Sequence, residues 1–371
     1  MINGPKFPRQ VKTIKMSFPL FNKALLIFSS IFLFPMLVLS FYMEPFGGSL
    51  TRMGGYLTND YRSNTPQEYF TQPLFKGASS IEDYQQYYDV VVWGDSFSED
   101  DSKSWLNYFS NGSGLTAIFF NMNHISLDEV INSPIYRQQP PKLFIYQSVE
   151  RNLIRRNSSC PLDNSPITKQ FNMPKINIKP LGIPVRTITR DRNYFVKGLQ
   201  FTSTVNYLKK VALRSFLGID KTEVHRFQLS RGGLFSSREN DSLLVTTKDF
   251  NLKGVTDEQI ETAKCSLLSM QSRIRKTKTT EFIAVFFPDK TTVYSDYLLD
   301  KSYTDMSIAK KMENTNGLNV APLVQTFKQA VKNGVVDLYL PEDTHCGFYA
   351  YKMAADSVLN LLDKMNRKSL L

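Results

Sequence analysis

Two short segments hold the residue types that acyl-transfer chemistry needs. Gly94-Asp95-Ser96-Phe97-Ser98 ends the apolar run that starts at Val90, and Glu342-Asp343-Thr344-His345 follows the run Val335 to Leu340. A serine hydroxyl is a weak nucleophile until a base takes its proton, and an imidazole does this near neutral pH. The chain has only three histidines, which narrows the choice of base. His345 stands two residues after Asp343, a carboxylate suited to fixing the imidazole tautomer, so Ser96, His345 and Asp343 form a candidate catalytic triad. Asp95, though nearer the serine, is not assigned as the triad acid. His124 is a second candidate for a base or a substrate contact, and His225 is expected on the surface. Taken alone, Gly-Asp-Ser also reads as a turn running into a helix cap, because Gly and Asp favour turns and Ser favours N-caps. The downstream Asp-Thr-His tips the reading towards a nucleophile. No C-x-x-C or H-E-x-x-H spacing occurs, so neither a metal nor another cofactor is expected.

For these segments to meet, the chain between them must fold as a sheet with both sites at one edge. Continuous apolar runs at Val90 to Val92, Leu115 to Phe120, Lys142 to Gln147, Glu281 to Phe287 and Val335 to Leu340 predict buried strands. Helical patterns alternate with them: one burying Trp105, Leu106 and Phe109, then Leu127 to Tyr136, Val149 to Arg156, a stripe from Ile260 to Ile274 behind a T-D-E-Q capping box, Val320 to Val331, and Gly347 to about Leu362. The expected fold is α/β: a three-layer α/β/α domain with a parallel sheet, ligands lying at the carboxyl ends of the strands. Residues 89–365 would form this domain, with a long insertion at about 157–250 that is rich in Pro, Asn, Arg and Ser.

Ahead of it, residues 24–43 carry no charge over the roughly 20 positions a helix needs to cross a bilayer, with Pro35 as an expected kink. A cleaved signal peptide is the competing reading, but the run exceeds a usual h-region and lacks an A-x-A site. Residues 1–23 hold Lys6, Arg9, Lys12, Lys15 and Lys23 without an acid, which predicts a cytoplasmic tail, a single-pass anchor and an extracytoplasmic remainder. Residues 44–88, without clear periodicity, read as a stalk. The net charge of +11 is partly this tail, so nucleic acid is not an expected partner. Basic groups at Arg151, Arg155 and Arg156 and at Lys209, Lys210 and Arg214 suit an anionic polymer or lipid head groups, or simply a solvated face. Of Cys160, Cys265 and Cys346, one pair can bridge in an oxidising compartment; the spacing does not choose it.

VVVWGDSFS resembles the first block of the SGNH (GDSL-type) hydrolase superfamily, and LPEDTHCGFYAYKMAAD its last. KLFIYQSVERNL and FFPDKTTVYSDYL are similar to two further blocks of one branch, the SGNH-like polysaccharide O-acetyltransferases of the alginate acetylation type. The blocks span most of Val90 to Asp356, the insertion being unmatched. The resemblance implies Ser96 as nucleophile, His345 as base, Asp343 as its orienting acid, the Ser96 N–H as one oxyanion donor, and a second donor from Asn121 to Asn123. The sequence departs from the branch in three ways. Its serine block precedes its Asp/His block; its second block lacks the superfamily's glycine, while Gln147 to Arg151 replace G-x-N-D; and Cys346-Gly347 stand where the branch has tryptophan. Gln147 and Arg151 thereby become candidates for oxyanion or substrate binding, although for Glu150 and Arg151 an ion pair that fixes the loop is preferred, since buried arginines need partners. Lys290 and Tyr294 carry the same two readings, and Tyr84, Tyr87 and Tyr88 are weighed between packing and stacking on sugars. The implied function is an extracytoplasmic O-acetyltransferase that moves an acyl group from a donor to a glycan, beside a multipass membrane O-acyltransferase partner. The alternatives are a carbohydrate esterase with the same triad and a non-catalytic polysaccharide assembly protein.

Overall fold

A computed structural model describes residues 18–42, 48–99, 102–160, 175–188, 201–218, 223–303 and 307–368. Most of the basic tail, up to Ser17, lies outside them. The first element, α1 (Phe18–Tyr42), is an apolar helix with Pro35 inside it, long and apolar enough to cross a membrane, and it starts earlier than Ala24.

The stretch expected as a stalk folds into the body from Gly48 onwards. Helices α2 (Ser49–Gly54) and α3 (Thr58–Tyr61) form a small cluster in which Leu50, Tyr56 and Tyr61 pack on Val224 and Leu244. Strand β1 (Gln67–Tyr69) and strand β2 (Lys76–Ala78) follow, β2 joining the main sheet. The expectation failed because these elements are too short to show a period.

Next come β3 (Val90–Gly94), α4 (Trp105–Ser113), β4 (Ala117–Asn121), α5 (Leu127–Asn132), α6 (Pro134–Gln138), β5 (Leu143–Val149) and α7 (Leu153–Arg156). The single helix expected over 127–136 is two. Pro134 cannot donate to a preceding turn, and Ser133 caps the new helix by accepting from the Tyr136 N–H. In the region expected as an insertion, β6 (Arg186–Ile188) pairs antiparallel with β1, α8 (Phe201–Leu217) packs on α2, and β7 (Val224–Gln228) pairs antiparallel with β8 (Ser242–Thr246). The chain closes with α9 (Asp257–Arg275), opened by the Thr256/Gln259 capping box, then β9 (Glu281–Phe287), α10 (Lys290–Val293), α11 (Ile308–Glu313), β10 (Val320–Ala321), α12 (Leu323–Lys332) and α13 (Phe348–Lys368).

Among the described residues the central sheet has six strands in the order β10-β9-β5-β3-β4-β2, each pair parallel. Alternate residues point to opposite faces, so Val90 and Val92 pack with Trp105, Phe109, Phe327 and Ala354 while Val91 packs with Phe120, Val130, Ile260 and Leu267. Helices α4, α12 and α13 therefore cover one face, and α5, α6, α7, α9 and α11 the other.

The expected strand Val335 to Leu340 is not one. Asp337 adopts a left-handed φ of 54°, and its buried carboxylate accepts hydrogen bonds from Ser63, Thr65 and Ser236. Satisfying that charge turns the backbone away from the sheet, leaving one bridge, Tyr339 to Cys346, and the edge position goes to β10. Cys160 and Cys265 form the disulfide and Cys346 is free and buried.

Candidate active site

The apolar residues of β3 end at Gly94, whose hydrogen faces the Gln147 side chain; a Cβ there would lie 2.6 Å from Gln147 Oε1. The chain then turns, and Ser96 is exposed between buried Asp95 and Phe97. Ser96 is not a helix cap. That role falls to Ser104, which accepts from the Leu106 N–H at the start of α4. Across the sheet edge, the Leu340 N–H donates to His345 O, and this with the Tyr339 to Cys346 bridge closes a loop that carries His345 to the serine.

His345 Nε2 lies 3.1 Å from Ser96 Oγ, and His345 Nδ1 lies 2.7 Å from Asp343 Oδ1. The chain thus brings all three expected residues into one line, from positions 249 residues apart. Burial would raise the Asp343 pKa, but the His345 ring, the Ser49 N–H and the His345 N–H all favour the carboxylate and together hold it well below its ordinary value. Phe97 lies against the imidazole, with ring centroids 4.9 Å apart.

Asp95 has a different task. Its Oδ1 accepts from the Phe97 N–H and Gln147 Nε2, and its Oδ2 from the Val149 N–H and Arg156, the last at 2.5 Å. Gln147 is fully buried and also accepts from the Asp95 N–H and Ser98 Oγ. Its amide is therefore a brace for the nucleophile turn, not a group presented to substrate. Arg151 is likewise inside, paired with Asp289 at 2.5 Å and with Asp249 at 3.5 Å, its guanidinium 5.8 Å from the Phe97 ring centroid. These acids raise its pKa further against the opposing effect of burial. The loop-fixing ion pair holds, but with Asp289: Glu150 is buried, its pKa raised by desolvation, and it accepts from the N–H groups of Asp289 and Ala309. The expected basic patch at 151–156 is thus partly taken up by buried pairs.

At the end of β4, Asn121 stands beside Gly94 in register. Its Oδ1 accepts from the backbone and side-chain amides of Asn123, so Asn123 braces Asn121. No acceptor faces the Ser96 backbone N–H among the described residues. His124 is exposed with no contact to the triad, and His225 is exposed on β7, beside Thr247 at 3.1 Å. Tyr84, weighed for sugar stacking, is buried against Phe120; Tyr87 is the most open of the three tyrosines. Among the described residues no group of His, Cys, Asp and Glu is gathered to hold a metal ion.

Ser49 and Gly48, which sequence reasoning passed over, and Lys290, which it weighed, hold the loop that carries the acid and the base. Ser49, at the start of α2, gives Asp343 two hydrogen bonds: from its N–H at 3.1 Å to Oδ2, and from its hydroxyl at 3.2 Å to Oδ1. Gly48 lies so close that a Cβ would sit 2.1 Å from the Glu342 carbonyl oxygen, and that same oxygen accepts from the N–H of Leu50. Lys290 is buried and donates to the carbonyls of Leu340 at 2.7 Å and Pro341 at 3.2 Å. Burial lowers its pKa to about 8, while Asp343 and Glu342 oppose the drop. Tyr294, fully buried beside it, accepts from the Tyr339 N–H. In comparisons with known proteins the chain matches no family model, no curated protein and no solved structure.

Proposed function

We propose that the protein is a membrane-anchored acyltransferase with an SGNH-hydrolase-like fold, acting outside the cytoplasm on a glycan through a Ser96 acyl-enzyme. The observation that carries this reading is the continuous line Ser96 Oγ, His345 Nε2, His345 Nδ1, Asp343 Oδ1, at 3.1 and 2.7 Å. His345 takes the Ser96 proton as Oγ attacks the donor's acyl carbon, and Asp343 stabilises the imidazolium that results. The Ser96 N–H and the Asn121 side-chain amide are the donors for the tetrahedral oxyanion. His345 then returns the proton to the leaving group, and a sugar hydroxyl, deprotonated by the same imidazole, resolves the ester.

Three further features support the reading. The serine follows the strand whose neighbours in the sheet are β4 and β5, the strands next in sequence, and this reversal of strand order is where doubly wound sheets bind ligands. The Cys160–Cys265 disulfide suits an oxidising compartment, and the basic tail ahead of α1 suits an orientation that puts the rest of the chain there. A single anchor would keep the domain beside a multipass membrane O-acyltransferase that supplies acyl groups where soluble thioester donors are absent. Hydrolysis is the second reading, favoured by the exposure of Ser96, which admits water as the acceptor.

The test is to incubate the detergent-solubilised full chain with an activated acetyl ester, with and without acetylatable glycans, while following acetate, glycan acetylation and mass gain at Ser96. Transfer predicts an acyl-Ser96 adduct that decays faster when glycan is present, giving acetylated sugar. Acetate release indifferent to glycan supports the esterase. No adduct and no product with any ester would overturn both.

A further inference from the structure

We propose that α8 is a membrane-surface helix that lays its outer face on the bilayer holding α1. This rests on reading α1 as a membrane anchor. The helix has two distinct faces. Tyr207, Lys210 and Arg214, at helical spacing, face the body: Tyr207 donates to Tyr56 O at 2.9 Å, Lys210 to Met53 O at 2.9 Å, and Arg214 to Gly54 O. Two of the three cations noticed in the sequence therefore satisfy carbonyls at the end of α2. The opposite stripe, Val205, Lys209, Ala212 and Phe216, is exposed along its length, and Leu217, on another side of the last turn, is exposed as well. Phe216 is 84% exposed and Leu217 64%, values in the range of α1 itself, where Phe18 is 77% and Leu26 67%. Outside α1 no large apolar side chain among the described residues is more exposed than these two. The helix carries no acid, so Lys209 adds attraction to anionic head groups.

The chain's own connectivity selects the bilayer as occupant. α1 ends at Tyr42 and α2 begins at Ser49, so even a fully extended link, at roughly 3.5 Å per residue, keeps the start of α2 within about 25 Å of the end of α1. α8 is hydrogen-bonded to the other end of α2, which is only about 9 Å long at 1.5 Å per residue. A basic, acid-free helix with Phe and Leu outward, tethered this close to a membrane helix, meets the requirements of an interfacial helix. Burying Phe216 and Leu217 against acyl chains, with Lys209 at head-group level, gives the domain a second attachment. The same α2 holds Asp343 through Ser49, so docking fixes the distance from triad to bilayer.

The test uses the full chain in nanodiscs containing phosphatidylglycerol, labelled with an environment-sensitive fluorophore at Phe216→Cys or at Gln138→Cys. Gln138 is exposed on α6, on the other face of the sheet, and the native Cys346 is buried. The proposal expects emission from position 216 to shift to the blue and to be quenched several-fold more by spin-labelled lipid than emission from position 138, with the difference shrinking in purely zwitterionic discs. Equal quenching at both positions overturns it. A blue shift at 216 without lipid quenching also overturns it, since the face is then covered by protein, either a partner or a second copy. Lipid quenching needs no catalysis, so it reads out even if Ser96 proves inert. Conversely, Phe216→Ser should leave turnover of a water-soluble activated ester unchanged.

Discussion

The two halves of the candidate site are held by opposite strategies. The turn that carries Ser96 is braced from below: Asp95 after β3, Gln147 and the Val149 N–H on the adjacent strand β5, and Arg156 on α7 form a buried lattice. The acid and base sit on a loop without a strand of its own, fixed by Ser49 and Gly48 from the start of the body and by Lys290 from after β9. Damage to the first half should therefore register as lost stability, because it strands a buried charge. Damage to the second should register as lost rate, because these groups act on the orientation of the acid and base.

The largest expected effect lies where both halves meet. Ser96→Ala should lower acyl transfer by on the order of a thousandfold or more while leaving the thermal midpoint within a degree or two, since its hydroxyl is exposed and supports no packing. Arg156→Met, in the first half, should cost about 3–5 kcal/mol of unfolding free energy by leaving the Asp95 carboxylate without its cation, measurable by urea titration, with kcat per folded molecule much less affected. Ser49→Ala, in the second, should reverse the pattern. Losing a hydrogen bond to a charged acceptor, worth about 1.5 kcal/mol, lowers kcat about tenfold with KM and melting little changed, and Ser49→Thr should restore it. If Ser49→Ala instead destabilises as Arg156→Met does, the contrast fails.

The smallest effect is a pH signature of Lys290. Losing its proton above about pH 8 removes the charge and leaves two N–H groups for the three carbonyls of Leu244, Leu340 and Pro341, so the rate should decline there, and Lys290→Arg should remove the decline. Stability moves the other way. A lysine whose folded pKa is depressed carries its full burial cost below about 8, and the cost fades as pH rises towards the ordinary value of 10.5. Wild type should thus gain stability over this interval while losing activity, a divergence that paired denaturation and rate profiles would show or refute.

The line Ser96, His345, Asp343 was legible in the sequence because its residue types are rare and its positions are punctuated: one of three histidines, two residues from an acid, and a serine where an apolar run stops. The run Glu281–Phe287 was legible for the same reason, being buried at every position. Ser49 was not. A serine has no chemical signature of its own, and its meaning comes from an acid 294 residues away. The run VVDLYL misled because its composition favours a strand while Asp337 must satisfy a buried charge, and long-range polar demand overrode local propensity. Gln147 and Arg151 were placed in the right neighbourhood, but sequence spacing carries no information about which side of a loop a long side chain takes.

The contact between Ser49 and Asp343 also orders events in time. A ribosome makes Ser49 and Ser96 long before Asp343 and His345, so most of the chain exists while the serine has neither of its two partners. The line from Ser96 to Asp343 is complete only when the loop of Asp343 and His345 closes on α2, a joining of distant segments that is among the slower steps a fold can take. On the proposed function, a chain interrupted before Asp343 would lack both base and acid, and one that has closed would carry them a short stretch of chain beyond α1.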